Sequence, residues 1–396
     1  MSRLAQSGGH IGPPGRPPAW SRRLRELERW QWRTQDGGDP GAALGEFLAE
    51  HGVGRAPAEV STAVVLLAGA TGCAALAGLP TGAPSPVPVV PDVVAVAVRE
   101  AGGDDGGGAP RPTAPPAVPR TAWQTTWDDG EHAAAVERVR QAIARGDVYQ
   151  ANVVGHRAAQ HRADPRELAA AVAGLPGASY GGVLTGPGWA VGCASPEQLV
   201  RVTGDRVSTV PVKGTRRVAP GSREELLASA KERAEHIMIV DLERNDLSRV
   251  AVTGSVEVDE LFAVAEWSGL WHAGSRVTAR LRDDAGVVDV LRALLPGGSV
   301  TGAPKHAACA LLADLEPVGR GPAMGAFGML WPGGLDLGLT IRTLAADDDT
   351  VHLWAGGGIT WDSDPVAEVA EAHAKAEPLL QALAGERPGQ VRPSTS

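Results

Sequence analysis

The sequence predicts an α+β fold with neighbouring strands in antiparallel sheets and helices on the outside. Strand-like apolar segments come in runs, at 188–193, 198–203 and 206–212 and again at 323–331, 335–345 and 350–355. Segments of helical period separate these runs instead of alternating strictly with single strands. The third observation is bulk: 396 residues, 43% of them hydrophobic, can bury the core of one large domain or two ordinary ones.

In chain order, residues 1–120 are weakly patterned. They hold Gly/Pro-rich stretches at Gly12–Pro18 and Gly102–Pro119, the second reading as a linker or long loop. Ser21–Arg33 reads as a short helix, and Thr62–Leu67 and Val87–Val98 as strands. These residues are expected to add to the same fold as the main unit, 121–385. There, Glu131–Arg145 carries Val136, Val139, Ala142 and Ile143 at helical spacing, Gly146 ends it, and Asp147–Val154 reads as a strand. A long helix is expected over Arg223–Glu243, others over 287–295 and 303–314, and a closing one over 365–384. Residues 386–396 read as a disordered tail. No internal repeat is apparent.

Bulk properties exclude several classes. A net charge of −9 argues against a nucleic-acid surface, which needs a basic stripe. No apolar run reaches the ~18 residues of a membrane span. No signal-peptide pattern is read at the N-terminus. Cys73, Cys193 and Cys309 are odd in number and far apart, as expected of reduced thiols in a cytoplasmic protein. Lysine is scarce: Lys213, Lys231, Lys305 and Lys375 are the only four, against 33 Arg among the 37 basic residues. A lysine kept where Arg is the default cation points to work that guanidinium cannot do, such as nucleophilic amine chemistry.

Several segments can carry chemistry. Glu232/Glu235 and Glu368/Glu371 are each spaced i, i+3, so each pair shares one helix face. Brought together, two such faces make an all-oxygen site that suits Mg²⁺; apart, they are ordinary solvated faces. Gly356, Gly357 and Gly358 follow a strand, where bare backbone N–H groups would bind an anion or simply turn the chain. Arg342, at a strand end, would hold a carboxylate in bidentate fashion. The loop from Leu295 to Lys305 is rich in Gly, Ser and Thr and runs into a helix, without being a Walker A sequence. Lys213 ends a strand before a turn. In a dry pocket or beside a cation its amine would become nucleophilic, whereas on the surface it would be one more solvated charge.

The order of these segments resembles the chorismate-utilising enzymes over residues 121 to about 385. The matching blocks are Gly146–Gln150, Ser195-Pro-Glu197, Pro211-Val-Lys-Gly-Thr215, Arg233–Asp246, His272, Gly297–Lys305, Ile341-Arg-Thr343 and Ala355–Ile359. The resemblance implies two stacked antiparallel sheets enclosing the site. It implies Mg²⁺ between Glu235 and Glu371, with Glu232 and Glu368 reaching it directly or through water. Arg342 and the amides of Gly356–Gly358 would hold the enolpyruvyl carboxylate of chorismate. Gly214 and Thr215 would line the ring, Thr301 would join the substrate contacts, and Lys375 would face a carboxylate or pair with Glu371. Glu197 takes the general-acid position, and His272 a position near the 4-hydroxyl.

Two positions choose a branch. Enzymes of the family that add water at C2 carry a base lysine where Gln150 stands, and Gln is no base. Lys213 stands where the branch forming 4-amino-4-deoxychorismate keeps a nucleophilic lysine, and where anthranilate synthases usually carry Ala. The resemblance therefore implies amination at C4. Amination at C2 and a non-catalytic chorismate-binding subunit are the alternatives. No glutaminase nucleophile turn is present, so ammonia is expected from a partner glutamine amidotransferase subunit. Met329 replaces a family Tyr, His272-Ala-Gly-Ser275 replaces His-x-Val-Ser, and no Leu-Leu-Glu-Ser regulatory segment is seen.

Overall fold

The computed structural model describes residues 24–54, 62–100, 118–267 and 270–386. The stretch Gly12–Pro18, most of the Gly102–Pro119 linker and the tail after Glu386 lie outside them. Ser21–Arg33, read as a helix, instead holds the strand β1 (Leu24–Trp32). Its Leu, Glu and Arg residues are good helix formers, but propensity is a weak determinant beside pairing. A full ladder to a neighbouring strand, from Leu24 opposite Glu100 to Trp32 opposite Val93, overrides that preference. Next come α1 (Pro40–Glu50), capped by Asp39 accepting from the Gly41 amide, β2 (Ala63–Ala68), α2 (Ala70–Ala77) and β3 (Val93–Glu100). The strand read from Val87 begins only at Val93, because Pro88 and Pro91 cannot donate to a ladder.

After β4 (Gln124–Thr125), the helix α3 (Asp129–Arg145) starts with a reciprocal Asp128/Glu131 capping box and stops at left-handed Gly146. The chain continues through β5 (Gln150–Gln160), α4 (Pro165–Ala173), β6 (Tyr180–Gly186), β7 (Trp189–Ser195), β8 (Gln198–Thr203), β9 (Arg206–Thr209) and β10 (Val212–Arg217). The single helix expected over Arg223–Glu243 is two, α5 (Ser222–Ala228) and α6 (Ala230–Ser248). Ser229 between them is extended, and its hydroxyl accepts from the Glu232 amide, so α6 starts afresh with a capped first turn. Then follow β11 (Glu257–Trp267), β12 (Leu270–Arg280), α7 (Val287–Leu294), β13 (Gly302–Ala303), α8 (Lys305–Leu315), β14 (Ala326–Trp331), β15 (Gly334–Leu339), β16 (Thr343–Asp347), β17 (Thr350–Ile359) and α9 (Pro365–Leu383).

Two antiparallel sheets result. The ten-stranded one runs β1-β3-β2-β14-β15-β8-β9-β12-β10 with β11 on β12, and the seven-stranded one β13-β5-β17-β16-β7-β6 with β4 on β5. The α+β expectation thus holds. The apolar run 335–345 is not one strand: β15 lies in the first sheet, β16 in the second, and the chain crosses between them at Thr340–Arg342. A second crossing separates β7 from β8, at Pro196-Glu197. The two crossings touch, since the Ala194 amide donates to the Arg342 carbonyl (3.1 Å) and the Leu339 amide to the Glu197 carbonyl (3.1 Å).

The main core covers the ten-stranded sheet with Leu66, Val94, Val200, Leu330 and Leu337, all fully buried. A second packs the other sheet under α4 and α9 through Leu168, Val172, Leu379 and Leu383. Cys73, Cys193 and Cys309 are free and buried. Among the described residues no helix is long and apolar enough to cross a membrane.

Candidate functional site

The carboxyl end of β17 gathers the candidate residues. Side chains alternate across a strand, so Gly357 and Gly358 face opposite sides of it. A methyl built on Gly358 would stand 2.8 Å from both Lys213 Nζ and Gln150 Nε2. One built on Gly357 would stand 3.1 Å from Glu368 Oε2, 3.6 Å from Lys375 Nζ and 3.7 Å from Glu371 Oε1. Just past the strand, Thr360 Oγ1 donates to Glu235 Oε1 (3.2 Å), tying α6 to the same spot. Gly214, left-handed at φ +78, brings β10 against Glu232, whose Oε2 lies 3.1 Å from where a methyl would stand. One end of one strand thus meets five other elements: β5, β10, α6, α9 and the loop that follows β17.

The ladder explains why this end is open. β17 pairs with β5 from Thr350 to Ile359, but with β16 only at Val351–Leu353. Beyond Leu353 its second edge is free of β16. Continuing that register sets Arg342 level with Ala355, beside the glycines. Arg342 is held at φ +50, a conformation rare for a non-glycine residue. Among the described residues its guanidinium pairs with no carboxylate.

Electrostatics separate the groups. Lys213 is half-buried with its amine inward. Burial first, and then Lys375, pull its pKa below the usual lysine range, against the opposing pull of Glu235, Glu197 and Glu371. Glu197, 8% exposed, is pushed up by burial, against the Ser299 hydroxyl, Lys213, the Val212 amide and Lys375. Ser299 Oγ donates to Glu197 Oε1 at 2.9 Å. Burial, and then Arg342, hold His272 down to about 4, so its ring is neutral at pH 7. Gln150 is fully buried, and neither polar atom of its amide has a hydrogen-bond partner among the described residues. Such an amide marks a surface built for something not of the chain itself.

Other candidates sit differently. Lys375 Nζ pairs with Glu371 Oε1 (2.7 Å) and donates to the Gly356 carbonyl (2.9 Å). Thr215 is placed by its backbone opposite His272. Thr301 is buried across β5, its carbonyl accepting from the amide of Asn152, the ladder partner of Gly358, and its hydroxyl donating to the Gly297 carbonyl. Sequence reading missed Thr360, Ser363 and Ser299, whose hydroxyls hold Glu235, Glu368 and Glu197, and Arg216, which pairs with Glu232 at 3.3 Å. It also missed buried His236, bonded to Ser275 Oγ. No spacing rule singles out such supports; only the fold brings them in.

The carboxylates are oxygen donors of the kind a hard divalent cation takes. Glu235 and Glu371 approach the end of β17 from two helices, with Glu232 and Glu368 one turn earlier on each. Among the described residues no three such groups are drawn together into a finished cage. Mg²⁺ asks for no cage, since it takes one or two carboxylates and completes its shell with water and substrate oxygens.

Comparison with known proteins gives the chain a family. The family described as chorismate binding enzyme matches residues 94–381. Anthranilate synthase component 1 of Haloferax volcanii is 39% identical over 264 residues, 64% of this chain and 50% of that protein. Aminodeoxychorismate synthase component 1 of Bacillus subtilis is 37% identical over 258 residues, 63% and 54% respectively. The chain spans about half the length of these relatives. The crystal structure of anthranilate synthase component I from Streptococcus pneumoniae superposes with a TM-score of 0.74, covering 96% of this chain and 95% of that one; at 22% identity it speaks for the fold alone.

Proposed function

The chain belongs to the chorismate binding enzyme family, and on that premise we propose that it aminates chorismate at C4 to give 4-amino-4-deoxychorismate. The observation that carries this reading is the end of β17, with the Lys213 amine and Gln150 amide against Gly358, the Glu368 and Glu371 carboxylates against Gly357, and Glu235 tied to Thr360 just beyond.

Lys213 is the nucleophile. Its lowered pKa leaves a fraction of free amine near neutral pH, which adds at C2 of the ring. The ring double bonds shift and the 4-hydroxyl leaves as water, taking a proton from Glu197, whose raised pKa keeps that proton available. Ammonia then adds at C4, the double bonds shift back, the Lys213–C2 bond breaks to restore the amine, and the proton shed by the new C4 nitrogen returns to Glu197. Arg342 and the Gly356–Gly358 amides hold the enolpyruvyl carboxylate. Neutral His272 orients the departing hydroxyl. Glu235 and Glu371, backed by Glu232 and Glu368, would hold Mg²⁺. When bound, the ion supplies positive charge that pins the ring carboxylate and draws electron density from the ring. Gln150 in place of a base lysine speaks against water addition at C2.

A partner glutaminase supplies the ammonia. Exposed apolar side chains gather on one stretch of surface: Tyr149, 69% exposed, and Ile237, 44% exposed, line one open pocket with Ala234 and Met238. Exposed apolar surface of this kind suits a seated subunit.

The test is chromatographic identification of the product from chorismate, an ammonium salt and Mg²⁺. 4-Amino-4-deoxychorismate is expected, and 2-aminobenzoate would overturn the C4 assignment. Chelation should abolish turnover and Mg²⁺ restore it.

A further inference from the structure

The carboxyl of Glu197 is buried, and the Ser299 hydroxyl donates to its Oε1 at 2.9 Å. The Val212 amide is a further donor to it. The backbone of Glu197 is fixed separately: its amide donates to Ser195 Oγ (3.2 Å), and its carbonyl accepts from the Leu339 amide. The ionisable groups that face the carboxyl are Lys213 on β10, Lys375 on α9 and Glu243 on α6.

Ser299 is set on backbone with little room to move. It is the middle residue of the turn Gly298–Val300. A methyl built on Gly297 would stand 2.7 Å from Leu339 Cδ2, and one on Gly298 would collide with Leu242, so the turn lies pressed against both leucines. Past it, the Thr301 hydroxyl donates to the Gly297 carbonyl (2.8 Å), and Arg320 donates to the Val300 carbonyl (2.7 Å). These bonds hold the turn without the Ser299 side chain.

A hydroxyl that donates to Oε1 leaves the proton of a neutral Glu197 on Oε2. When that proton goes to the departing 4-hydroxyl, the O–H bond at Oε2 and the C4–O bond break, and water forms. The charge left behind spreads over both carboxylate oxygens. The bond from Ser299, which keeps its own proton, then becomes charge-assisted and stronger. An interaction that strengthens as charge develops favours the transition state over the ground state. We propose that Ser299 is the positioning residue of the acid step, keeping the transferable proton of Glu197 on Oε2 and steadying the carboxylate as that proton leaves. The proposal rests on the reading of Glu197 as proton donor.

The experiment compares Ser299→Ala and Ser299→Thr with the wild type, in turnover of chorismate with an ammonium salt and Mg²⁺ and by infrared spectroscopy of the full chain. Ser299→Ala should lose roughly ten- to hundredfold in kcat, with KM for chorismate unchanged. Loss of a donor that favours the charged form raises the pKa of Glu197, so the alkaline limb of the pH profile should move to higher pH. The C=O band of protonated Glu197, identified by its loss in Glu197→Gln, should move to higher frequency once Oε1 accepts no bond from residue 299. Ser299→Thr keeps a hydroxyl and should restore all three. Should Ser299→Ala not fold, Ser299→Cys, whose thiol is a weak donor, should show the same shifts. A fall in kcat with the alkaline limb and the band unmoved would make Ser299 merely structural and overturn the proposal, as would a wild-type kcat in Ser299→Ala. A wild type that leaves chorismate unconsumed overturns the reading of Glu197 itself, and the proposal with it.

Discussion

In the proposed reaction Lys213 and Glu197 carry opposite requirements, and burial shifts each pKa in the direction required. The amine is needed free, a form present above its lowered pKa and lost as pH falls through it. The acid is needed protonated, a form present below its raised pKa and lost as pH rises through it. Activity should therefore trace a bell in pH, with Lys213 on the acid limb and Glu197 on the alkaline limb. Measuring kcat/KM against pH checks both limbs, and a profile without an alkaline limb would exclude Glu197 as the donor. Lys213→Ala should lose at least ~10³-fold in product formation, and Lys213→Arg should not recover it, because guanidinium stays protonated. Glu197→Gln should lose roughly 10²–10⁴-fold. The places of these two residues in the chain were legible because their neighbours in sequence are distinctive. The hydroxyls of Ser299, Thr360 and Ser363 were not, because a supporting serine has no pattern of its own.

Strand β17 makes the element scale testable. A methyl on Gly358 meets only the ends of two flexible side chains, Lys213 and Gln150, whereas one on Gly356 would collide with the Val153 carbonyl and the Val154 backbone. Gly358→Ala should keep the fold and lose about 10²-fold in kcat/KM, the cost of a misplaced reacting group. Gly356→Ala should instead destabilise by several kcal/mol, since β5 must move. Urea denaturation beside turnover separates the two, and equal stability losses would contradict this division of labour. Helices α6 and α9 were readable because i, i+3 spacing survives any tertiary setting. The switch from β15 to β16 was hidden, because an unbroken apolar run looks the same whether it serves one sheet or two. Strand β1 was misread because its pairing partner, not its composition, decides its conformation.

At the scale of the whole molecule, acid should be a solvent of weakness. His156, paired with His352 at 3.0 Å and with Thr126 at 2.7 Å, is pulled down to about 4 by burial, then by His352, from an ordinary value of 6.5. His236 is likewise near 4, through burial and then Lys213. A folded pKa below the unfolded one means that the unfolded chain takes up the proton first. Stability is full above 6.5 and is lost as pH falls from there towards 4, by roughly 3 kcal/mol for His156 alone. Urea midpoints at pH 7 and 4.5 should show this drop, and His156→Asn should flatten it. Removing residues 24–100 should be worse, since β1, β3 and β2 form one end of the ten-stranded sheet and their loss bares the edge of β14. That fragment should be insoluble, and a well-folded one by circular dichroism would contradict the architecture. The two neighbouring crossings have a last consequence. Glu197 and Arg342 stand where the backbone leaves one sheet for the other, so a molecule grasped there acts as a rivet between two plates. Its binding should slow hydrogen exchange across both sheets at once, far from any atom it touches.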